Sequence, residues 1–351
     1  MIIGYSFWGF LGAGITDTPD GGRSHRRPLV DAIVARGHRL IFLQKDRDRL
    51  EAGDDLGGHY TFDGGLPELD LLFLEWRWAI PGRNTTRCGI TGHTCDLHRQ
   101  SELLEQYTFG RATPTIIWDK DRRLPTDHPL RRHHGVKVCE AALSPTPGAV
   151  PLLFPVDDAL LDAADPHELA TRPRPLTLAY VGNQHGRDDA FDTFLAPAAA
   201  RVPHEVAGKW TDTSRWPNVR FRGRIPFTDV STLYGAALAT VLLLPDRYAR
   251  VGQMTQRIFE AVLAGCLPIT PADIHSARRF TPPHLHVRNG EETATLIDEL
   301  RKLAGGPYHE QLLADCLHRL ELFRLSRQMK AFDAVLGELA NACPSVTEAN
   351  R

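Results

Sequence analysis

The sequence predicts an α/β fold made of two doubly wound parallel-sheet domains in tandem, facing one cleft. Three observations point to it. The chain has 351 residues, about twice the ~150 residues that one domain usually takes. Short leucine-rich or β-branched runs alternate with helical patterns, the signature of parallel strands joined by crossover helices. A proline-rich stretch, bracketed by Ser144–Gly148 (SPTPG) and Thr171–Pro175 (TRPRP), interrupts that alternation, which restarts at Leu176.

In the first half the expected strands are Met1–Ser6, His38–Leu43, Leu69–Glu75, Thr113–Trp118 and Val136–Cys139. They are nearly continuous apolar runs, as strands covered on both faces should be. Ser24–Arg36 reads as the first helix, with Ser24 as its N-cap and Gly37 as the glycine that ends it. In the second half strands are expected from Leu176 to Gly182 and at His204–Ala207, Val219–Arg222, Thr240–Leu244, Leu267–Thr270 and Leu285–Val287. Helices fall between them at about 188–201, 228–237 and 254–264, and the tail from 291 to about 341 is helical. Open α/β sheets bind ligands at the carboxyl ends of their strands, so the cleft is the default site before any motif is read.

Composition narrows the function classes. Hydrophobic residues make up 42% and charged residues 24%, and 41 Lys and Arg balance 43 Asp and Glu for a net charge of −2. This lacks the charge excess of a nucleic-acid coat or a polybasic membrane-surface protein, so no nucleic-acid partner is expected. Apolar runs such as Ala236–Pro245 fall short of the ~18–20 residues of a membrane span. The N-terminal MIIGYSFWGF has no basic region before its apolar residues and reads as a buried first strand, not a signal peptide. Six cysteines are too few for a disulfide scaffold, and a reducing cytoplasm is expected. Only six of the 41 basic residues are Lys, a coding bias that carries no function.

The most informative stretch is Gly252–Thr270, GQMTQRIFEAVLAGCLPIT. Read as a helix from about Thr255 to Ala264, it puts Ile258, Phe259, Val262 and Leu263 on an apolar face and Arg257, Glu260, Ala261 and Ala264 on the other. Gly265 ends the helix and Leu267 begins the next strand. A cation and a carboxylate thus stand one turn apart near a helix start. Free N–H groups there favour phosphate, an Arg adds fork-shaped donors, and a carboxylate can accept two hydrogen bonds from a ribose diol. That equipment suits a nucleoside diphosphate. The alternative is a core helix on which Arg257 and Glu260 merely pair at the surface, contributing only ~0.2–0.5 kcal/mol.

The run Arg257-Ile-Phe-Glu260-Ala-Val-Leu-Ala-Gly265-Cys-Leu-Pro268-Ile-Thr resembles the donor-site helix of GT-B glycosyltransferases. It is more narrowly similar to the group 1 and CgeB-like (spore-protein-type) transferases, with their pattern R-x-F-E-A-x-x-x-G-x-x-P-[IV]. Upstream, Val219-Arg-Phe-Arg-Gly223-Arg-Ile and Val230-Ser-Thr-Leu-Tyr234-Gly-Ala236 resemble the strand, glycine and helix that precede it. Tyr180-Val-Gly182-Asn183, followed by Arg187, resembles the opening of the C-terminal domain, and Val150–Asp158 the interdomain linker. The match covers roughly 175–275; the first half agrees in layout only. The resemblance implies a Rossmann-like acceptor-binding domain over 1–150, a linker over 151–175, a Rossmann-like nucleotide-sugar domain over 176–310, and C-terminal helices over 311–351 whose docking the sequence does not place.

Carried over by position, Glu260 is expected on the donor ribose, and Arg257 with the backbone around Thr255 and Gln256 on the diphosphate. Arg187 and Lys209 are expected as paired cations, Gly223, Arg224 and Ile225 near the nucleobase, and Asn183 among the donor contacts. Many group 1 transferases carry a second Glu eight positions before the ribose Glu. Here that position is Gly252, so the sugar contact must differ and retention of configuration does not carry over.

In the first half, the loop after the first strand runs Phe7-Trp-Gly9-Phe-Leu-Gly12-Ala-Gly14, which is not the dinucleotide order G-x-G-x-x-G. Leu43 is followed by Gln44-Lys45, with no acidic ribose ligand, so a Rossmann dehydrogenase is disfavoured. Gly12 and Gly14 allow close backbone approach to a ligand, and in GT-B enzymes this loop faces the donor phosphates and the acceptor. Charged residues at strand ends mark Glu75 and Arg77, with Asp17 from the loop, as acceptor-binding candidates. Asp119 and His25 are the candidates for taking the proton from the acceptor hydroxyl, with capping of the following segment as the other reading of Asp119. Asp119-Lys-Asp121 is formally D-x-D, but the tandem layout argues against a metal–diphosphate site of that type. Cys88, His93, Cys95 and His98 have ligand-like spacing in an order that is no standard zinc module, and read as free cysteines and loop histidines. Arg131-Arg-His-His134 reads as a solvated face.

The expectation is a metal-independent glycosyltransferase with no cofactor, using a nucleotide-sugar as co-substrate and a polar small-molecule acceptor. A secondary-metabolite setting such as an aminocyclitol antibiotic is the expected context. A sugar-nucleotide epimerase and a non-catalytic sugar-nucleotide or glycan-binding protein are the alternatives. The oligomeric state is not legible in the sequence.

Overall fold

A computed structural model describes residues 1–14 and 22–342. It contains two compact units. The first is formed by Met1–Gly12, Arg27–Leu153 and the C-terminal segment from Ser326, the second by Ala13–Arg26 and Phe154–Leu325.

The first unit holds a seven-stranded, wholly parallel sheet. Its strands are β1 (Ile2–Ser6), β2 (Arg39–Phe42), β3 (Thr61–Phe62), β4 (Leu71–Glu75), β5 (Thr115–Asp119), β6 (Val136–Glu140) and β7 (Val150–Pro151), in the order β3-β2-β1-β4-β5-β6-β7. Every residue of β4 and β5 is buried, which is why those runs read as unbroken apolar stretches. The first helix is Arg23–Ala35, and Gly37 follows at φ 83°, the left-handed conformation that ends a helix cheaply only at glycine. Ser24 therefore lies inside the first turn and is not the N-cap.

The second unit holds a six-stranded parallel sheet: β8 (Leu176–Val181), β9 (His204–Ala207), β10 (Phe221–Gly223), β11 (Ala237–Val241), β12 (Leu267–Pro271) and β13 (His286–Val287), ordered β10-β9-β8-β11-β12-β13. β11 starts three residues before the expected Thr240, because Ala237 and Ala239 are buried strand residues that carry little β signal. The expected linker contains two short helices, Asp158–Asp162 and Pro166–Thr171, capped by Asp157 and Asp165 and belonging to the second unit.

The helical tail is three helices, Gly290–Leu303, Pro307–Leu320 and Leu325–Ala342. The last packs on the first unit. Phe332 lies 5.4 Å from Phe73 between ring centroids, the Gln328 amide oxygen accepts the Leu153 N–H at 2.8 Å, and Glu338 meets Lys137 at 2.6 Å. No helix among the described residues is long and apolar enough to cross a membrane.

Both sheets reverse strand order once, between β1 and β4 in the first unit and between β8 and β11 in the second. Connections leave a sheet toward opposite faces at such a point, opening a crevice at the carboxyl ends of the two strands.

Candidate active site

In the second unit glycines let the strand ends beside the switch point approach closely. Gly182 follows β8 and Gly208 follows β9. The Gly182 N–H donates to Ala207 O at 2.9 Å and the Gly208 N–H to Gly223 O at 2.8 Å. Gly208 has φ +135°, and a Cβ there would collide with the Gly182 carbonyl. A Cβ on Gly182 would sit 2.7 Å from the Tyr180 hydroxyl and 2.8 Å from Arg257 Nε. Missing side chains thus let the strand ends, Tyr180 and Arg257 crowd together.

The donor-type helix runs Arg257–Leu263, two residues shorter at its start than expected. Ile258, Phe259, Ala261 and Val262 are buried against the sheet, as the apolar periodicity requires. Arg257 and Glu260 are half-buried on the other face, and they do not spend themselves on a surface pair. Arg257 Nε donates to Val181 O at 2.6 Å and Nη1 to Thr255 Oγ1 at 3.3 Å. Glu260 accepts the Ser24 hydroxyl, Ser24 being part of the second unit. Burial pushes the Glu260 carboxyl above its ordinary value, opposed by the Ser24 hydrogen bond and the Arg257 charge. Burial lowers Arg257, but Tyr180, Tyr234 and Glu260 outweigh it and the guanidinium stays charged. The buried Tyr180 and Tyr234 hydroxyls have no hydrogen-bond partner, and the Arg257 guanidinium carbon lies 5.9 Å from the Tyr180 ring centre. Unanswered hydroxyls beside a carboxylate and a guanidinium are costly unless a ligand answers them.

The remaining donor candidates fall at the same strand ends in different roles. Asn183 Oδ1 accepts the Lys209 N–H at 2.8 Å, tying the β8 and β9 loops together, while the Lys209 side chain is exposed. Thr255 and Gln256 are buried in the turn before the helix. Gly223, at φ 79°, and Arg224 are exposed at the end of β10. Arg187, expected as one of the paired cations, makes its hydrogen bonds within the protein. It is buried and donates to Leu243 O at 3.3 Å and to the carbonyls of Asn183 and His185 at 3.2 and 2.9 Å. It clamps the β8 loop to the end of β11; burial, then the Arg257 charge, lowers its pKa. Gly252, the position eight residues before Glu260, is buried at φ 60°.

The described acceptor and base candidates, His25 in the second unit and the others in the first, are engaged within the protein. Asp119 is fully buried, and its two oxygens accept the N–H groups of Arg123 and Leu124 at 2.9 and 2.8 Å. This is the capping reading, and it also removes Asp119 from the D-x-D. Glu75 is buried and accepts the Tyr5 hydroxyl at 2.5 Å and Lys120 Nζ at 2.7 Å. Arg77 pairs with Asp96 at 3.1 Å. Beside them Glu140, at the end of β6, holds Arg131 at 2.8 Å and also Arg122. Arg131 is therefore buried in a charge network and not on a solvated face. The sequence reading missed Lys120, Arg122 and Glu140, whose signal was charge directly after an apolar strand. Gly12 donates its N–H to Asp48 Oδ1 at 2.7 Å, and the Gly14 carbonyl accepts from Arg23 at 2.5 Å. His25 is buried and stacks on Phe154 at 4.2 Å. Asp17 lies outside the described residues.

One cluster differs from its sequence reading. Cys88, His93, Cys95 and His98, expected as separate free groups, offer ligand atoms that all lie within 4.8 Å of one another.

Two doubly wound parallel sheets flanked by helices define the GT-B fold. Residues 187–315 match the model of a family described as glycosyl transferase-like. Among solved structures, the chain is similar to phage T4 BGT in complex with its UDP-glucose substrate (15% identity, TM-score 0.63, covering 97% of this chain and 99% of that one). It is similar also to Anabaena HepE in complex with UDP-glucose (11%, 0.58, 96% and 100%) and to AviGT4, a glycosyltransferase involved in avilamycin A biosynthesis (15%, 0.56, 97% and 99%). No curated protein matches the chain by sequence.

Proposed function

We propose that the protein is a glycosyltransferase that moves a sugar from a nucleoside-diphosphate donor to a hydroxyl of a polar small molecule. The observation that carries this reading is the Arg257–Glu260 face. Both groups are half-buried at a switch point, with their hydrogen bonds made to other partners, and next to two unanswered tyrosine hydroxyls. Glu260 accepts the ribose hydroxyls. Arg257, with Lys209 from the β9 loop, meets the diphosphate and stabilises its departure as charge develops on the leaving oxygen. We take UDP as the donor nucleotide because T4 BGT and HepE were both observed with UDP-glucose. The reaction is proposed to be metal-independent. Asp119 of the D-x-D is spent on backbone N–H groups, and cations stand at the proposed diphosphate site.

The acceptor is proposed among hydroxyl-bearing small molecules of secondary metabolism, the setting of AviGT4, in a reducing cytoplasm. A near-neutral net charge of −2, without the basic excess usual for nucleic-acid binding, supports the small-molecule reading. Turnover of a UDP-sugar with and without a mixture of polyhydroxylated acceptors, in EDTA, tests the reading. Release of UDP that depends on acceptor supports it. Conversion of the donor sugar without acceptor identifies an epimerase, binding without turnover identifies a binding protein, and loss of activity in EDTA that Mg2+ or Mn2+ alone restores overturns metal independence.

A further inference from the structure

We propose that Cys88, His93, Cys95 and His98 bind one zinc ion, in a closed four-ligand site that staples the segment following β4. The site belongs to the first unit and lies outside the donor machinery.

The four residues fall within eleven positions, in a segment built from turns until the helix Asp96–Leu103 begins. Three glycines with positive φ bend it: Gly82 at 74°, Gly89 at 86° and Gly92 at 83°. Gly89 directly follows Cys88 and Gly92 directly precedes His93, so the chain doubles back between the first two ligands. Cys95 is the residue before the helix, and its thiol is not used as a cap. His98 follows one turn later. This folding brings Cys88 Sγ to 3.1 Å from His98 Nδ1 and the His93 and His98 ring centres to 5.7 Å.

The chemistry fits zinc. Two thiolates and two imidazoles are a tetrahedral donor set, and Zn–S of about 2.3 Å with Zn–N of about 2.0–2.1 Å requires ligand atoms roughly 3.3–3.8 Å apart. All four atoms already lie within 4.8 Å, so closure requires movement of about an ångström in exposed side chains.

A second observation concerns His93 itself. His93 Nδ1 is 3.0 Å from the Thr86 hydroxyl, while His93 Nε2 is buried without a partner. An outer hydrogen bond on one ring nitrogen, with the other aimed at the ion, is how ligating histidines are oriented. Around the ligands the segment is tied down. Asp96, adjacent to Cys95, takes Thr94 Oγ1 at 2.9 Å, Arg77 Nε at 3.1 Å and Asn84 Nδ2 at 3.3 Å, and Gln100 exchanges hydrogen bonds with the Arg77 backbone at 2.7 and 3.0 Å. A zinc ion would close this framework and fix the segment running from Arg77 to the helix. Its binding releases the protons of the two thiols and changes no oxidation state.

The test uses the full chain purified under reducing conditions without a histidine tag. Elemental analysis is expected to give one zinc per chain. Replacing the zinc with cobalt(II) is expected to give the intense ligand-field bands of a tetrahedral site together with thiolate-to-cobalt charge transfer. Cys88→Ser combined with Cys95→Ser should lose metal and charge-transfer band, with folding followed by circular dichroism. Thr86→Val, which keeps all four ligands, should weaken zinc binding by about 10–100-fold in competition with a chromogenic chelator. The proposal is overturned by substoichiometric zinc with only a weak octahedral cobalt spectrum, by zinc content unchanged in the double variant, or by a Cys88–Cys95 disulfide in the protein as isolated.

Discussion

Asp119 shows how a charged residue at a strand end is read differently by sequence and by structure. In the sequence it is a carboxylate after an apolar run, a fair candidate for a base. In the fold it is fully buried, and burial pushes its carboxyl up to about 6 against the two backbone hydrogen bonds that favour ionisation. Its folded pKa therefore lies above its unfolded value of 3.8. Its stabilising contribution is complete below about pH 4 and is lost as pH rises through about 6, a difference of roughly 3 kcal/mol. Glu140, next to it, runs the other way. Burial pushes it up, but hydrogen bonds from Thr146 and Arg131 and the Arg122 charge win, and it lies below its ordinary value. Its contribution is present above that value and is lost in acid. Urea unfolding of Asp119→Asn across pH 4–6 is expected to lack the wild-type decline over that interval. An unchanged decline would mean that another group titrates there. Ser24 teaches the same point. A serine before a helical run signals an N-cap, yet its hydroxyl goes to Glu260, a partner 236 positions away that no local pattern can announce.

At the scale of elements, the strands were legible because buried parallel strands are continuous apolar runs, and the Gly37 helix stop because glycine alone takes φ 83° cheaply. The early start of β11 was not, since alanines in a strand look like alanines in a helix. The Arg257–Leu263 helix was legible through its apolar period. Its surroundings were not, because Gly182 and Gly208 act by what they lack. Gly182→Ala places a methyl 2.7 Å from the Tyr180 hydroxyl and 2.8–2.9 Å from Arg257 Nε and Nη2, contacts with the far ends of two side chains and not with backbone. This variant is expected to fold, to melt within a few degrees of wild type, and to bind UDP at least ten times more weakly by calorimetry. Gly208→Ala meets a backbone carbonyl at φ +135° and is expected to lose stability outright, by 2 kcal/mol or more, on the scale of strained backbone sites. Equal loss of binding and stability in both variants would contradict this division of roles. The Cys–His cluster was visible as spacing only; the glycine bends that bring its four ligands together are a property of the folded segment.

For the whole molecule, the two parallel sheets, each with one switch point, and the helical tail follow one plan. That plan was legible from alternation alone. The return of Leu325–Ala342 to the first unit was not, because an amphipathic helix declares a buried face without saying what buries it. The central claim concerns the second unit: Glu260 holds the ribose of a nucleoside diphosphate. Thermal unfolding of wild type and Glu260→Ala with UDP, GDP, dTDP and ADP tests it most directly. Ligand at 100 times its Kd stabilises the native state by about 2.7 kcal/mol. We predict that UDP raises the wild-type melting temperature most, and that Glu260→Ala keeps its ligand-free melting temperature within a few degrees but loses most of that rise. A folded Glu260→Ala protein whose UDP-induced rise equals that of wild type would contradict the account.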